Sequence, residues 1–370
     1  MQLILRVCWN ILFILQFNHL AEAQICFEEL ELCSHCNNTF AHCYTGSSDI
    51  IIPGNLSRDT RELVVQYSGP PMKLTASMFQ RYTNLEYLTL AGNITSLSAN
   101  TFAELKYLKQ LTLTNTAITK LPLDLFYLNN TLTSLELNNN QLTRIPLESF
   151  RQLNHLEHLN LAYNPIWHPN CLTLGDNFKY LKNLTSLNLA NMTVNRSCDQ
   201  EIPYNFFEAL QENLLTLNLT KTNVFNGDQR IFQNFSKLAS LDITLAEGFE
   251  KCPGAAEGLF WNLTHSLDKL VMRQLSASVV DPSWGCVLTA SNIKGLKALP
   301  NLVELDMKYG DLMFGFELTA DIFDGFDALE RLNIEWCRFS NIEDRVFKGV
   351  PRLEWLSVRG NPIGNRPFTI

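Results

Sequence analysis

Along most of the chain the apolar positions follow one fixed figure, L-x-x-L-x-L-x-x-N. It opens as LEYLTLAGN at Leu85, LKQLTLTNT at Leu108, LTSLELNNN at Leu132 and LEHLNLAYN at Leu156. It continues from Leu184, Leu214, Leu238, Leu267, Leu302, Leu329 and Leu353, eleven copies in all, after a weaker strand around Leu63 and Val65. Successive copies are 23, 24, 24, 28, 30, 24, 29, 35, 27 and 24 residues apart. In L-x-L both leucines point to one face and the residue between them to the other. One such strand cannot bury its leucines. Stacked coils can, because parallel strands about 4.8 Å apart merge the leucine rows into one core. The pattern therefore predicts a solenoid with a parallel sheet of about 12 strands, roughly 50 Å long, on its concave side.

Two further rows refine this. Phenylalanine recurs late in each coil, at Phe79, Phe102, Phe126, Phe150, Phe178, Phe207, Phe235, Phe260, Phe323 and Phe347. We read it as a stacked spine filling the convex half of the core, rather than a ligand-binding stripe. The ninth motif position predicts an asparagine that bonds the backbone of neighbouring turns. Its occupants are Asn93, Thr116, Asn140, Asn164, Met192, Thr222, Ala246, Leu275, Gly310, Cys337 and Asn361. The row is interrupted from Met192 to Cys337, where the longest repeats also fall, so weaker bonding between coils and altered curvature are expected there.

Composition changes the picture in one respect. Leucine (61) and asparagine (36) replace charge, which is only 18% of the 370 residues. A net charge of −8 leaves no nucleic-acid footprint. Residues 1–23 read as a signal peptide: Arg6, the apolar run Val7 to Leu15, then Ala21-Glu22-Ala23 as cleavage site. No later stretch is long and apolar enough to predict a membrane span. Export gives meaning to ten N-x-S/T sequons, at Asn37, Asn55, Asn93, Asn129, Asn183, Asn191, Asn195, Asn218, Asn234 and Asn262. It also favours disulfides over zinc for the cluster Cys26, Cys33, Cys36 and Cys43, although His35 and His42 lie within it. Four cysteines allow three pairings. The repeat frame pairs Cys171 with Cys198 and, less directly, Cys252 with Cys286. Cys337 reads as a buried thiol rather than a nucleophile.

No motif for catalysis occurs: there is no HExxH, GxSxG, Walker loop or GxGxxG. His155 and His158 are three apart on a strand and face opposite ways. Glu86, Glu136 and Asp242 read as solvated strand positions. We expect no enzyme, no cofactor and no metal. The expected partner-binding surface is the concave face of the last four repeats, where outward strand positions hold Arg273, Lys308, Tyr309, Arg331, Trp336, Trp355 and Arg359. Tyr309 and Trp336 share one column, and Arg331 and Trp355 another. Tryptophan, tyrosine and arginine dominate interface energetics, and no sequon follows residue 262. A pocket built from long loops by Phe249, Trp261 and Trp284 is the alternative.

Signal peptide, cysteine cluster, LxxLxLxxN array and phenylalanine spine together resemble an extracellular leucine-rich repeat ectodomain. Irregular repeat lengths, the broken asparagine row, the sequons and the cysteine loop between coils resemble Toll-like receptors in particular. The resemblance implies an α/β leucine-rich repeat horseshoe with a cysteine-rich cap at 24–60, repeats over 61–370 and no C-terminal cap. It implies Cys26–Cys36 and Cys33–Cys43 pairing. It also implies a pattern-recognition receptor of innate immunity that binds a protein or microbial ligand and pairs with a second such ectodomain. The sequence departs from the family after Asn361-Pro362-Ile363, which reads as a fragment or a secreted short form. A secreted adhesion or matrix protein, or a soluble decoy co-receptor, is the other reading.

Overall fold

The structure is a computed structural model that describes residues 33–37, 39–46, 52, 56–128, 131–146, 148–166, 176–192, 205–222, 229–244, 263, 266–273, 296–309 and 317–363. The expected signal peptide and the pairs Cys171–Cys198 and Cys252–Cys286 lie outside the described residues.

A leucine-rich repeat solenoid runs through them. Two strands precede the repeats, β1 (Cys33–Cys36) and β2 (Phe40–Thr45). They are antiparallel and joined by a Cys33–Cys43 disulfide. The repeat strands are β3 (Glu62–Leu74), β4 (Tyr87–Leu97), β5 (Gln110–Thr114), β6 (Ser134–Glu136), β7 (His158–Asn160) and β8 (Ser186–Asn188). Then come β9 (Thr216–Asn218), β10 (Ser240–Asp242), β11 (Lys269–Val271) and β12 (Glu304–Asp306). A small pair, β13 (Glu317–Leu318) and β15 (Asn341–Ile342), forms a second sheet on the return path, while β14 (Arg331–Asn333) and β16 (Trp355–Ser357) complete the main one. The main sheet has fourteen strands in chain order. Twelve come from the weak first strand and the eleven motif copies, as the pattern predicts, and two from the cysteine-rich segment.

Register follows the motif. The row Leu63, Leu88, Leu111, Leu135, Leu159, Leu187, Leu217, Leu241, Leu270, Leu305 and Leu332 is in Cα register and buried. Return segments are short 3-10 turns, such as Ala76–Phe79, Glu208–Leu210 and Val346–Gly349. Behind the leucines the phenylalanine spine is buried wherever it is described. Phe178 and Phe207 stack at 6.3 Å, and Phe323 and Phe347 at 5.9 Å. Phe260 lies outside the described residues.

The asparagine row bonds as its chemistry requires. Buried Asn164 donates to the oxygens of Leu137 (2.8 Å) and Leu161 (2.9 Å) and accepts from the Leu142 amide (3.0 Å). Asn140 and Asn361 make the same three-way contact between coils. Substitutes do less. Among the described residues Thr222 bonds Leu219 of its own turn alone, and the Met192 side chain offers no N–H or oxygen. Cys337, a buried thiol outside any disulfide, donates to Met307 of the preceding coil at 3.1 Å.

Candidate ligand-binding face

From β6 onward each repeat strand is two or three residues long, and the residue just before the asparagine row takes a left-handed conformation. Positive φ occurs at Gly92, Asn115, Asn139, Tyr163, Asn191, Lys221, Tyr309, Trp336 and Gly360. This turn lets the next side chain swing inward while the amide still reaches the following coil. Tyr309 N–H donates to Glu335 O and Trp336 N–H to Arg359 O, both at 2.8 Å. Tyr309 and Trp336 therefore stand in the turn beyond β12 and β14, not on strand positions as the motif suggested. Arg273, Lys308 and Arg359 likewise lie just past their strands, and only Arg331 and Trp355 lie on them.

These residues are brought together. The Tyr309 and Trp336 rings stack at 6.4 Å and 23°. Both are more than 40% exposed. Beneath Trp336 lies Gly360, where a Cβ would meet the indole carbons at 2.3–2.7 Å, so only glycine fits. In the strand column, Arg331 is in register with Trp355 and its guanidinium lies 5.3 Å from the ring centroid.

Two of the four predicted cations are already paired. Arg273 Nε donates to the buried Asp306 carboxylate at 2.8 Å, and that bond raises the guanidinium pKa. Lys308 Nζ lies 2.7 Å from Glu335 Oε2. Lys308, then the Ser357 hydroxyl, hold the Glu335 carboxyl below its usual value, and Glu335 raises the Lys308 amine. Lys269 pairs with Glu304 at 2.9 Å. Among the described residues Arg331 and Arg359 are in no ion pair, although Arg359 lies close enough to Glu335 to help hold its carboxyl down. Asp242 stands within electrostatic reach of Arg273, and Asp268 of Lys269, so the five cations of the patch are matched in number by five carboxylates.

The other candidates fare differently. Phe249, Trp261 and Trp284 lie outside the described residues, as do Asn55, Asn129, Asn195 and Asn262. Asn37, Asn183 and Asn234 are exposed, and Asn93, Asn191 and Asn218 half-buried. Asn218 stands between buried Leu217 and Leu219 and faces outward on β9. Glu86 and Glu136 are not simply solvated. Glu86 bonds Lys109 at 2.6 Å, and burial pushes the Glu136 carboxyl up, against a hydrogen bond from Asn160.

Three rows went unread in the sequence. One is the left-handed turn itself, signalled by Gly and Asn recurring at the eighth motif position. Another is Asn160, Asn188, Asn218 and Asp242, each accepting the amide two residues on. The last runs along the entry to the strands. Asn84, Asn183 and Asn213 donate to the oxygens of Arg58, Asn154 and Lys182 in the preceding coil.

Comparison with known proteins agrees with this architecture. Residues 106–166 match the leucine rich repeat family model. The chain is 31% identical over 205 residues to mouse CD180 antigen, an overlap of 49% of this chain and 29% of that protein. It aligns with a chain of the Drosophila Toll–Spätzle complex at a TM-score of 0.61 and 19% identity, over 84% of this chain and 40% of the other. A leucine-rich repeat protein of Leptospira interrogans aligns at 0.56 and 19%, over 83% and 80%. The chain therefore shares the leucine-rich repeat fold of these proteins, and spans less than half the length of the mouse protein and of the Drosophila chain.

Proposed function

We propose that this chain is the extracellular ligand-binding part of a Toll-like receptor, and that it binds an acidic protein partner on the C-terminal part of its open sheet face. The observation that carries this is the Tyr309–Trp336 stack. A left-handed turn costs a residue with a Cβ about 1–2 kcal/mol, and in the other described coils the position holds Gly or Asn five times and Tyr163 or Lys221 twice. At 309 and 336 two large rings occupy it on adjacent coils, stacked and open to solvent. Partly desolvated aromatic anchors of this kind dominate protein interfaces. Arg331, in no ion pair among the described residues, stands beside them and supplies a charge for a carboxylate of the partner. The Toll chain in the aligned structure is seen in complex with Spätzle, which supports a protein ligand. In this reading the partner also brings two such ectodomains together.

Photo-crosslinking tests the proposal. A crosslinking residue is placed at position 336, or as control at exposed Tyr127 on the return path, in secreted protein incubated with extracellular fluid of the host. Position 336 should capture a partner that is lost when Arg331→Glu reverses the charge. Equal capture at position 127, or indifference to Arg331→Glu, contradicts the assignment.

A further inference from the structure

A second surface lies on the flank where the strands begin. Each coil enters its strand past one residue just ahead of the first motif leucine, and on three such coils these are Tyr107, Thr131 and His155, followed by Asn183. Together with Glu86 and Glu157 they line a shallow groove of about 530 Å³. Its character is mixed, apolar surface set with polar groups, and its charged side chains are Glu86, Lys109 and Glu157. Lys109, also in its wall, is matched by Glu86, and hydroxyl, imidazole and carboxylate groups alternate along it. Tyr107 presents an aromatic ring that is 61% exposed. A flat ring among hydrogen-bonding groups of both kinds suits a sugar, whose C–H face covers the ring while its hydroxyls meet the polar groups.

Asn183 supplies the occupant. It is exposed, it begins the sequon Asn183-Leu184-Thr185, and it stands in the groove wall. Its Nδ2 donates to Asn154 O at 2.7 Å. An amide nitrogen carries two hydrogens, so one is left over. Asn183 and Tyr107 are three coils apart, about 14 Å at the spacing of a parallel sheet, a span that a few linked sugars cover.

We propose that this groove seats an N-linked glycan carried by Asn183. Asn183 Nδ2 forms the bond to the anomeric carbon of a lipid diphosphate-linked oligosaccharide. The lipid diphosphate leaves with the bonding electrons, and one amide proton passes to a base of the transferase. The remaining N–H keeps the Asn154 bond, which aims the glycan along the groove towards Tyr107. The flank of the first coils is then covered, and a protein partner is left the open face of the later ones. The proposal rests on the extracellular reading above.

The test uses the full chain secreted from animal cells under its own N-terminus. Glycopeptide mapping should find Asn183 occupied. On the native fold an amidase that cleaves glycan from asparagine should release it about fivefold more slowly than the glycan on exposed Asn37 or Asn234, the change that one ring contact of ordinary strength gives. Tyr107→Ala should abolish that protection, and Tyr127→Ala, outside the groove, should leave it. Secreted protein with a bare Asn183 overturns the proposal. So does a glycan released as fast as the others and indifferent to Tyr107→Ala, which is attached but not seated. Binding of free oligosaccharide to protein with a bare Asn183 would instead make the groove a site for an external sugar. A chain that stays inside the cell with every sequon bare fails differently, because it overturns the extracellular reading itself.

Discussion

Removal of one ladder side chain tests the physics of the coil stack. Asn164→Ala strips the Leu142 amide of its acceptor and the Leu161 carbonyl of its donor, both within a buried site. The Leu137 carbonyl keeps a second donor, Asn140 Nδ2 at 2.8 Å, so it loses less. An unsatisfied buried backbone group costs about 1–3 kcal/mol, so two of them predict a loss of about 2–6 kcal/mol. Asn361→Ala removes the same three contacts from a half-buried site, where water can replace them, and should cost about 1 kcal/mol. The comparison isolates desolvation from the bonds themselves. A repeat array need not unfold in one step, so urea denaturation is best paired with hydrogen exchange read at the Leu142 amide. Equal losses for the two variants, or unchanged exchange at Leu142 in Asn164→Ala, would refute the reasoning.

Glu136→Gln should stabilise the protein at neutral pH. Burial raises the folded-state carboxyl above its unfolded value near 4.5, so ionisation opposes folding increasingly as the pH rises from 4.5 and fully above that raised value. The advantage should fade as pH falls through the raised value and vanish below 4.5, which thermal melts across pH would show. Lys221→Gly should stabilise by about 0.5–1 kcal/mol, because φ is +54° there and glycine relieves the left-handed strain, less its own chain entropy; urea midpoints check this. Asn93 should show lower glycan occupancy in secreted protein than Asn234, since its half-buried Nδ2 donates to Gly69 O at 3.0 Å while Asn234 is exposed; glycopeptide mapping reads both.

The repeat was legible because L-x-L is a statement about side-chain direction that each coil repeats. Register, strand number and the buried phenylalanine spine all follow from it. Turn geometry was harder to read. Tyr309 and Trp336 look like the next alternating residues of a strand, and nothing in their identity announces a left-handed backbone. The signal lay in the other coils, where Gly92, Asn115, Asn139, Asn191 and Gly360 hold the same position. Charge pairing was invisible for another reason. Arg273 meets Asp306 from 33 residues away, and Lys308 meets Glu335 across a coil boundary, so only the register of the long repeats shows which cations remain unpaired. The row of Asn84, Asn183 and Asn213 was hidden by its motif position, because it falls just ahead of the leucine that defines each copy.

Affinity for the crosslinked partner tests the central claim most directly. Secreted wild type is compared with the double variant Tyr309→Ala and Trp336→Ala by equilibrium binding, with secretion level and melting temperature as controls. Both rings are exposed, so the fold should be retained. Loss of two aromatic anchors should weaken binding by well over 1 kcal/mol, more than about fivefold in Kd. Binding that stays within about twofold of wild type, but is lost with Trp284→Ala in equally well-secreted protein, would contradict the account.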